Sequence, residues 1–215
     1  MPVEPIELAG ADYKPFHVVA AAEGHLGRSS NMLRVLAHSP AILQIYLAFE
    51  RTLERARLVP TLGTLIAVAV SQMNGCAYSL SLAMFLGLRQ GLSVEELEMA
   101  RSAEAFDLKT AAALRFAASA VRRRGRPEPS DGADLRAAGF AEEEIVEIIA
   151  AVALNLFRNY LNLIAETAID IPPPTSSEAF MEINRESDRA SALLVPECNR
   201  NSFNPPKGIH HAIQE

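Results

Sequence analysis

Cysteine is scarce in this 215-residue chain. Cys76 and Cys198 are the two present, so no disulfide framework is expected and a reducing cytoplasm is the default compartment. Basic charge is short as well. Twenty Lys and Arg stand against 26 Asp and Glu, a formal net charge of −6, which leaves no electrostatic footprint for nucleic acid. The one dense basic run, Arg122-Arg123-Arg124 with Arg126 beyond, falls where a helix is expected to end and is read as complementing the helix dipole. Strand-like alternation is missing throughout, which points to an all-α fold. A long uninterrupted apolar run is also missing. Leu58 to Leu88 carries no charge, but Ser71, Gln72, Asn74 and Gly75 split it into pieces shorter than the roughly 20 residues a membrane-spanning helix needs. Two buried helices joined by a tight turn are expected there, and no membrane partner. The opening Met-Pro-Val-Glu-Pro is neither basic nor apolar and does not read as a targeting segment.

What is present is 49% apolar content, ample for one core, together with clear helix punctuation. Residues 1 to 37 show little periodicity and read as an arm with one short helix. Ser39-Pro40 is a cap followed by a first-turn proline, and an amphipathic helix follows to about Arg57. Pro60 opens a second helix that stops at Asn74-Gly75, and Cys76 opens a third that ends near Leu88 and Gly91. Ser93-Val-Glu-Glu96 has capping-box spacing, and Asp107 caps a helix running toward Gly125. A brief helix over about 131–138 and a long one from Glu142 to about Thr167 complete the core; some 26 residues rising 1.5 Å each span about 39 Å. Ile171-Pro-Pro-Pro174 reads as a stiff linker, with a weak helix over 178–195 beyond it. Arms over 1–30 and 173–215 are thus expected around a domain at 31–172.

The run Ala67-Val-Ala-Val-Ser-Gln-Met-Asn-Gly-Cys-Ala-Tyr-Ser-Leu-Ser-Leu-Ala83, followed by Gly91-Leu-Ser-Val-Glu-Glu-Leu97, resembles the signature of alkylhydroperoxidase D-like proteins in the carboxymuconolactone decarboxylase superfamily. Asn31 to Pro40 is similar to the upstream segment of the peroxidase-related branch, and Ala138 to Glu147 to its downstream helix start. The resemblance covers about residues 31 to 172 and implies a helical domain that assembles as a homo-oligomer. It also implies a Cys-x-x-Cys-x-x-x-His pattern, which places Cys76 at the first cysteine but Ser79 at the second and Ala83 at the histidine. The family's acidic relay residue falls on Thr64. A serine hydroxyl cannot be oxidised reversibly by peroxide, so vicinal-dithiol chemistry is not expected to carry over.

Cys76, Ser79 and Tyr78 are therefore the candidate catalytic residues. At a helix start Cys76 meets unpaired amides that favour a thiolate, while apolar neighbours oppose it; the plainer alternative is a small buried residue. Ser79 has no activating base near it in sequence. No cofactor and no metal are expected: His17, His25 and His38 lie away from the motif, and His210-His211 is isolated. Asn155, Arg158, Asn159 and Asn162 form a polar row late in the long helix. It reads either as a surface meeting solvent or another subunit, or as the lining of a ligand cavity. The functional expectation is a family member resembling peroxidase-related oxidoreductases without dithiol peroxidase activity. Its alternatives are a non-catalytic small-molecule-binding or assembly protein, and a lyase or isomerase using the same pocket.

Overall fold

The computed structural model describes residues 2–6 and 30–171. Most of the expected N-terminal arm lies outside the described residues, with His17 and His25. So does everything after Ile171: the proline linker, the weak helix over 178–195, Cys198, and His210-His211. Among the described residues there are helices and no strands, as the missing alternation predicts.

Eight helices follow in order: α1 (Asn31–Leu36), α2 (Pro40–Leu53), α3 (Pro60–Met73), α4 (Ala77–Arg89), α5 (Val94–Arg101), α6 (Leu108–Arg122), α7 (Pro129–Ala137) and α8 (Glu142–Ile164). Helix α3 is the hub, packed against α4, α5, α6 and α8. Its sequence explains that position. Leu65, Ile66, Ala67, Val68, Ala69 and Val70 are all buried, so the helix is apolar on every side and needs neighbours all round. At 14 residues it is also too short to cross a bilayer, and no described helix is long and apolar enough to do so.

The α3–α4 hairpin turns on a Schellman motif. Gly75 takes φ +63°, its N–H bonds to Gln72 O at 3.2 Å, and the N–H of Cys76 bonds to Ser71 O at 3.0 Å. A side chain at 75 would strain the left-handed conformation on which this closure depends. The turn places Cys76 as the N-cap of α4, one position before the helix proper. Other expected caps form as written in the sequence. Ser93 and Glu96 exchange both bonds of a capping box, and Asp107 accepts from Thr110 N at 2.8 Å.

Three boundaries differ from the expected ones. Helix α2 ends at Leu53 rather than near Arg57, because the Glu147 carboxylate of α8 accepts the N–H groups of Arg57 and Leu58, at 3.0 and 2.8 Å, and holds the chain out of helical register. Helix α8 ends at Ile164, with Ala165 as its cap, rather than at Thr167. The third is α1: periodicity alone leaves residues 1–37 as an arm, whereas Ser30 caps α1 and Met32, Leu33, Val35 and Leu36 are buried, which puts residues 31–36 in the core, inside the domain expected at 31–172. Six residues are too few for periodicity to register.

The core has two clusters. The larger joins α3, Ala83 and Met84 of α4, α5, α6, α7 and the first half of α8; the smaller gathers α1, α2, Cys76, the Tyr78, Leu82 and Phe85 face of α4, Leu154 and Ile171. The described N-terminal residues close over the smaller one. Ile6 packs on it, Val3 N bonds to Ala165 O at 3.0 Å, and His38 Nε2 donates to Glu4 O at 2.8 Å.

Candidate functional site

Cys76 is 2% exposed, and its thiol donates to Ser79 Oγ at 3.2 Å, one turn into α4. Ser79 Oγ also accepts from Asn162 Nδ2 at 3.2 Å. Beside them, the Ser71 hydroxyl donates to Asn159 Oδ1 at 3.1 Å. These residues make a polar cluster between α3, α4 and α8 in which every member is buried, with Asn159 Nδ2 and Asn162 Oδ1 left without a partner. Tyr78 is turned to a different face. Its hydroxyl bonds to Ser30 Oγ at 3.1 Å and accepts from Met32 N at 3.2 Å, which ties α4 to the start of α1. Burial raises its pKa well above that of an ordinary phenol, although the bonds from Ser30 and Met32 work the other way. The structure thus brings Cys76 and Ser79 together and leaves Tyr78 in a fastening role.

One helical turn beyond Ser79 lies Ala83, and there the packing opens. A cavity of about 150 Å³ is bounded by Ala83 and Leu86 of α4, Gly63, Thr64 and Ala67 of α3, and Asn155 and Arg158 of α8. Neither Cys76 nor Ser79 lines it. The two positions that the sequence pattern leaves without imidazole and carboxylate, Ala83 and Thr64, both do. Thr64 Oγ1 donates to Gln90 Oε1 at 2.8 Å near the exposed rim.

The inner end of the cavity is polar. Arg158, 7% exposed, forms an ion pair with Glu50 of α2 and lies over the ring of Tyr46, 5.8 Å from its centroid. Burial opposes the guanidinium charge, but Tyr46 and Glu50 more than offset it and hold the pKa above its ordinary value. Asn155 spends its amide nitrogen on Ala151 O at 2.8 Å, within its own helix. The polar row of α8 therefore faces inward. Asn155, Arg158, Asn159 and Asn162 are all buried, which overturns the reading of this row as a surface meeting solvent or another subunit. Asn155 and Arg158 line the cavity, while Asn159 and Asn162 belong to the Cys76 cluster. Glu50 had no place among the expected site residues. The signal it carried, a lone acidic residue on the otherwise apolar face of α2, points to a buried cation only when that cation is known.

Residues 40–123, from the first residue of α2 to the cap of α6, match the carboxymuconolactone decarboxylase family. That stretch is less than half of the chain, and over it the chain is similar to the family whose signature the sequence resembles. A peroxidase-related protein from Silicibacter sp. TM1040 is 20% identical with a TM-score of 0.71, the match covering 82% of this chain and 96% of that one. A second, from Ralstonia eutropha JMP134 and described as an alkylhydroperoxidase AhpD core, is 20% identical with a TM-score of 0.68 over 84% and 96%. The debrominase Bmp8, solved with 2,3,4-tribromopyrrole, is 20% identical with a TM-score of 0.70 over 85% and 97%. At these identities the likeness establishes the alkylhydroperoxidase D-like fold. No curated protein matches the chain. Helix α8 and its polar row lie outside the stretch that matches the family.

Proposed function

We propose that this alkylhydroperoxidase D-like chain does not reduce peroxides through a vicinal dithiol and instead holds a small molecule in the cavity beside Ala83. One observation carries this reading: the cavity lies at Ala83 and Thr64 and excludes Cys76, whose thiol is buried against a serine. Ser79 forms neither a sulfenic acid nor a disulfide, and Ala83 moves no proton. The debrominase neighbour was solved with a single-ring molecule, 2,3,4-tribromopyrrole. Lyase or isomerase chemistry would draw on the same space. The test is peroxide turnover with a dihydrolipoyl or thioredoxin reductant, run beside native mass spectrometry of the purified protein. Negligible turnover and a co-purified small molecule are expected. Turnover that survives chelation and depends on Cys76 overturns the reading. The double variant Ser79→Cys, Ala83→His is expected to recover little activity, because Thr64 leaves the proton relay incomplete.

A homo-oligomer is part of the same reading. The outward face of α8 is apolar: Val146, Ile149, Phe157, Tyr160, Leu163 and Ile164 are all more than 40% exposed. Light scattering is expected to exceed the monomer mass of 23.3 kDa at micromolar concentration, and a monomer alone removes the proposal.

A further inference from the structure

Helices α2 and α8 lie side by side and run in opposite directions. Glu50 of α2 pairs with Arg158 late in α8, whereas Arg57, just past α2, pairs with Glu143 at the start of α8. The outward side of this helix pair carries almost no charge. Pro40 to Phe49 holds none, and from Ile148 to Ala165 the one charged residue is Arg158, which is turned inward and buried. Eight large apolar side chains, Ile42 and Ile45 of α2 and six on α8, are instead each 41–71% exposed. At roughly 100 Å² apiece they leave about 800 Å² open, more than the largest apolar patch of a typical monomer and the area a standard interface takes from each partner.

The order of residues along α8 decides what fits this face. Val146, Ala150, Ala153, Phe157, Tyr160 and Ile164 are spaced alternately four and three apart, the spacing of a coiled-coil seam, and each is exposed or half-exposed. The pattern reads the same from either end. A second α8 laid antiparallel sets Val146 against Ile164, Ala150 against Tyr160 and Ala153 against Phe157, so that each ring meets an alanine. The relief of the surface agrees with those sizes. Beside Ala150 a groove of about 650 Å³ opens between the two helices, with the small side chains of Ala48, Thr52 and Ala56 on its α2 side. At the other end Tyr160 and Ile164 stand out, 55% and 71% exposed. A face hollow at one end and raised at the other is matched by its own copy turned about a two-fold axis.

We infer that a second copy of this chain docks on the α2–α8 face about a two-fold axis midway between Ala153 and Phe157, with Tyr160 and Ile164 of each copy filling the groove at Ala150 of the other. Helices α2 and α8 of both copies then make a four-helix layer closed to water. This rests on the homo-oligomer reading above and adds the surface and its geometry.

Sedimentation velocity of the full chain measures the association, and disulfide trapping measures the geometry. Tyr160→Glu sets a charge in the groove and is expected to weaken association about thirtyfold or more, the loss usual for a buried aromatic anchor. The position is exposed in the single chain, so the circular dichroism spectrum and the thermal midpoint are expected to hold. In a Cys198→Ser background, Ala150→Cys combined with Tyr160→Cys is expected to give a covalent dimer on mild oxidation, and neither substitution alone is. The two positions lie about 15 Å apart along α8, beyond the roughly 7 Å between Cα atoms that a disulfide allows, so they cannot join within one chain. An oligomer that withstands Tyr160→Glu, or one that yields no such cross-link, overturns this pairing and leaves the homo-oligomer reading standing. A monomer from the unsubstituted chain brings down both.

Discussion

The Cys76 cluster and the Arg158 cavity are both built on α3, α4 and α8, yet the space between those helices is used differently. In the first, thiol, hydroxyl and amide groups bond to one another and side chains fill the space, although Asn159 Nδ2 and Asn162 Oδ1 keep no partner. In the second, Ala83 carries only a methyl group, and a volume of about 150 Å³ stays open beside it. The comparison teaches that the sulfur and the open space need not coincide: Cys76 lies in filled packing, and the cavity lies where the side chains are small.

The largest expected effect falls on the cavity side. Glu50→Ala leaves Arg158 buried without its counter-ion and is expected to cost about 3 kcal/mol in urea unfolding, because an uncompensated buried charge is strongly unfavourable. A loss under about 0.5 kcal/mol, the usual bound for a surface substitution, would mean that water serves Arg158 as well as Glu50 does.

On the cluster side, Ser79→Ala removes the acceptor of both Cys76 and Asn162 and is expected to cost about 2 kcal/mol. Binding in the cavity should stay unchanged. If the binding of a cavity ligand moves with Ser79, the two regions act as one, and the comparison above is wrong.

Tyr78→Phe sharpens the contrast from the other face of α4. It strips a partner from Ser30 and from Met32 N, with an expected loss of about 1–2 kcal/mol and no change in ligand binding. A change confined to ligand binding, with stability unmoved, would return Tyr78 to the functional residues.

The smallest effect is a control remote from both regions. The Thr110 N–H holds the pKa of Asp107 below its ordinary value, against a small opposing effect of burial. The folded state therefore binds the proton less readily than the unfolded one. The cap contributes stability above the unfolded value, about pH 4, and loses it as pH falls through the folded value. Asp107→Ala should cost about 1 kcal/mol at pH 7, and the difference should shrink toward pH 3. A difference that is flat with pH would show that the carboxylate does not act as the cap.

Much of the helical order was legible because it is local. Ser93 and Glu96, Asp107, Pro60 and Gly75 act over three or four residues, and neighbouring chain segments are enough to specify what they do. That serine stands at 79 and alanine at 83 was legible for a different reason, since residue type is read directly whatever the packing. The early end of α2 was not legible, because its cause is Glu147, far along the chain. Neither was α1, whose six residues are held by Ser30 and by burial against α2 and α4.

By itself the sequence determined an all-helical chain with a cysteine at 76 and none at 79, since covalent identity and short-range punctuation suffice for both. Only the tertiary structure decided which way α8 turns. Spacing placed Asn155, Arg158, Asn159 and Asn162 together, but it said nothing of whether that side meets water or protein. Helix periodicity shows which residues share a face, and the packing of α2, α3 and α4 against that face turned a polar row inward and an apolar one outward.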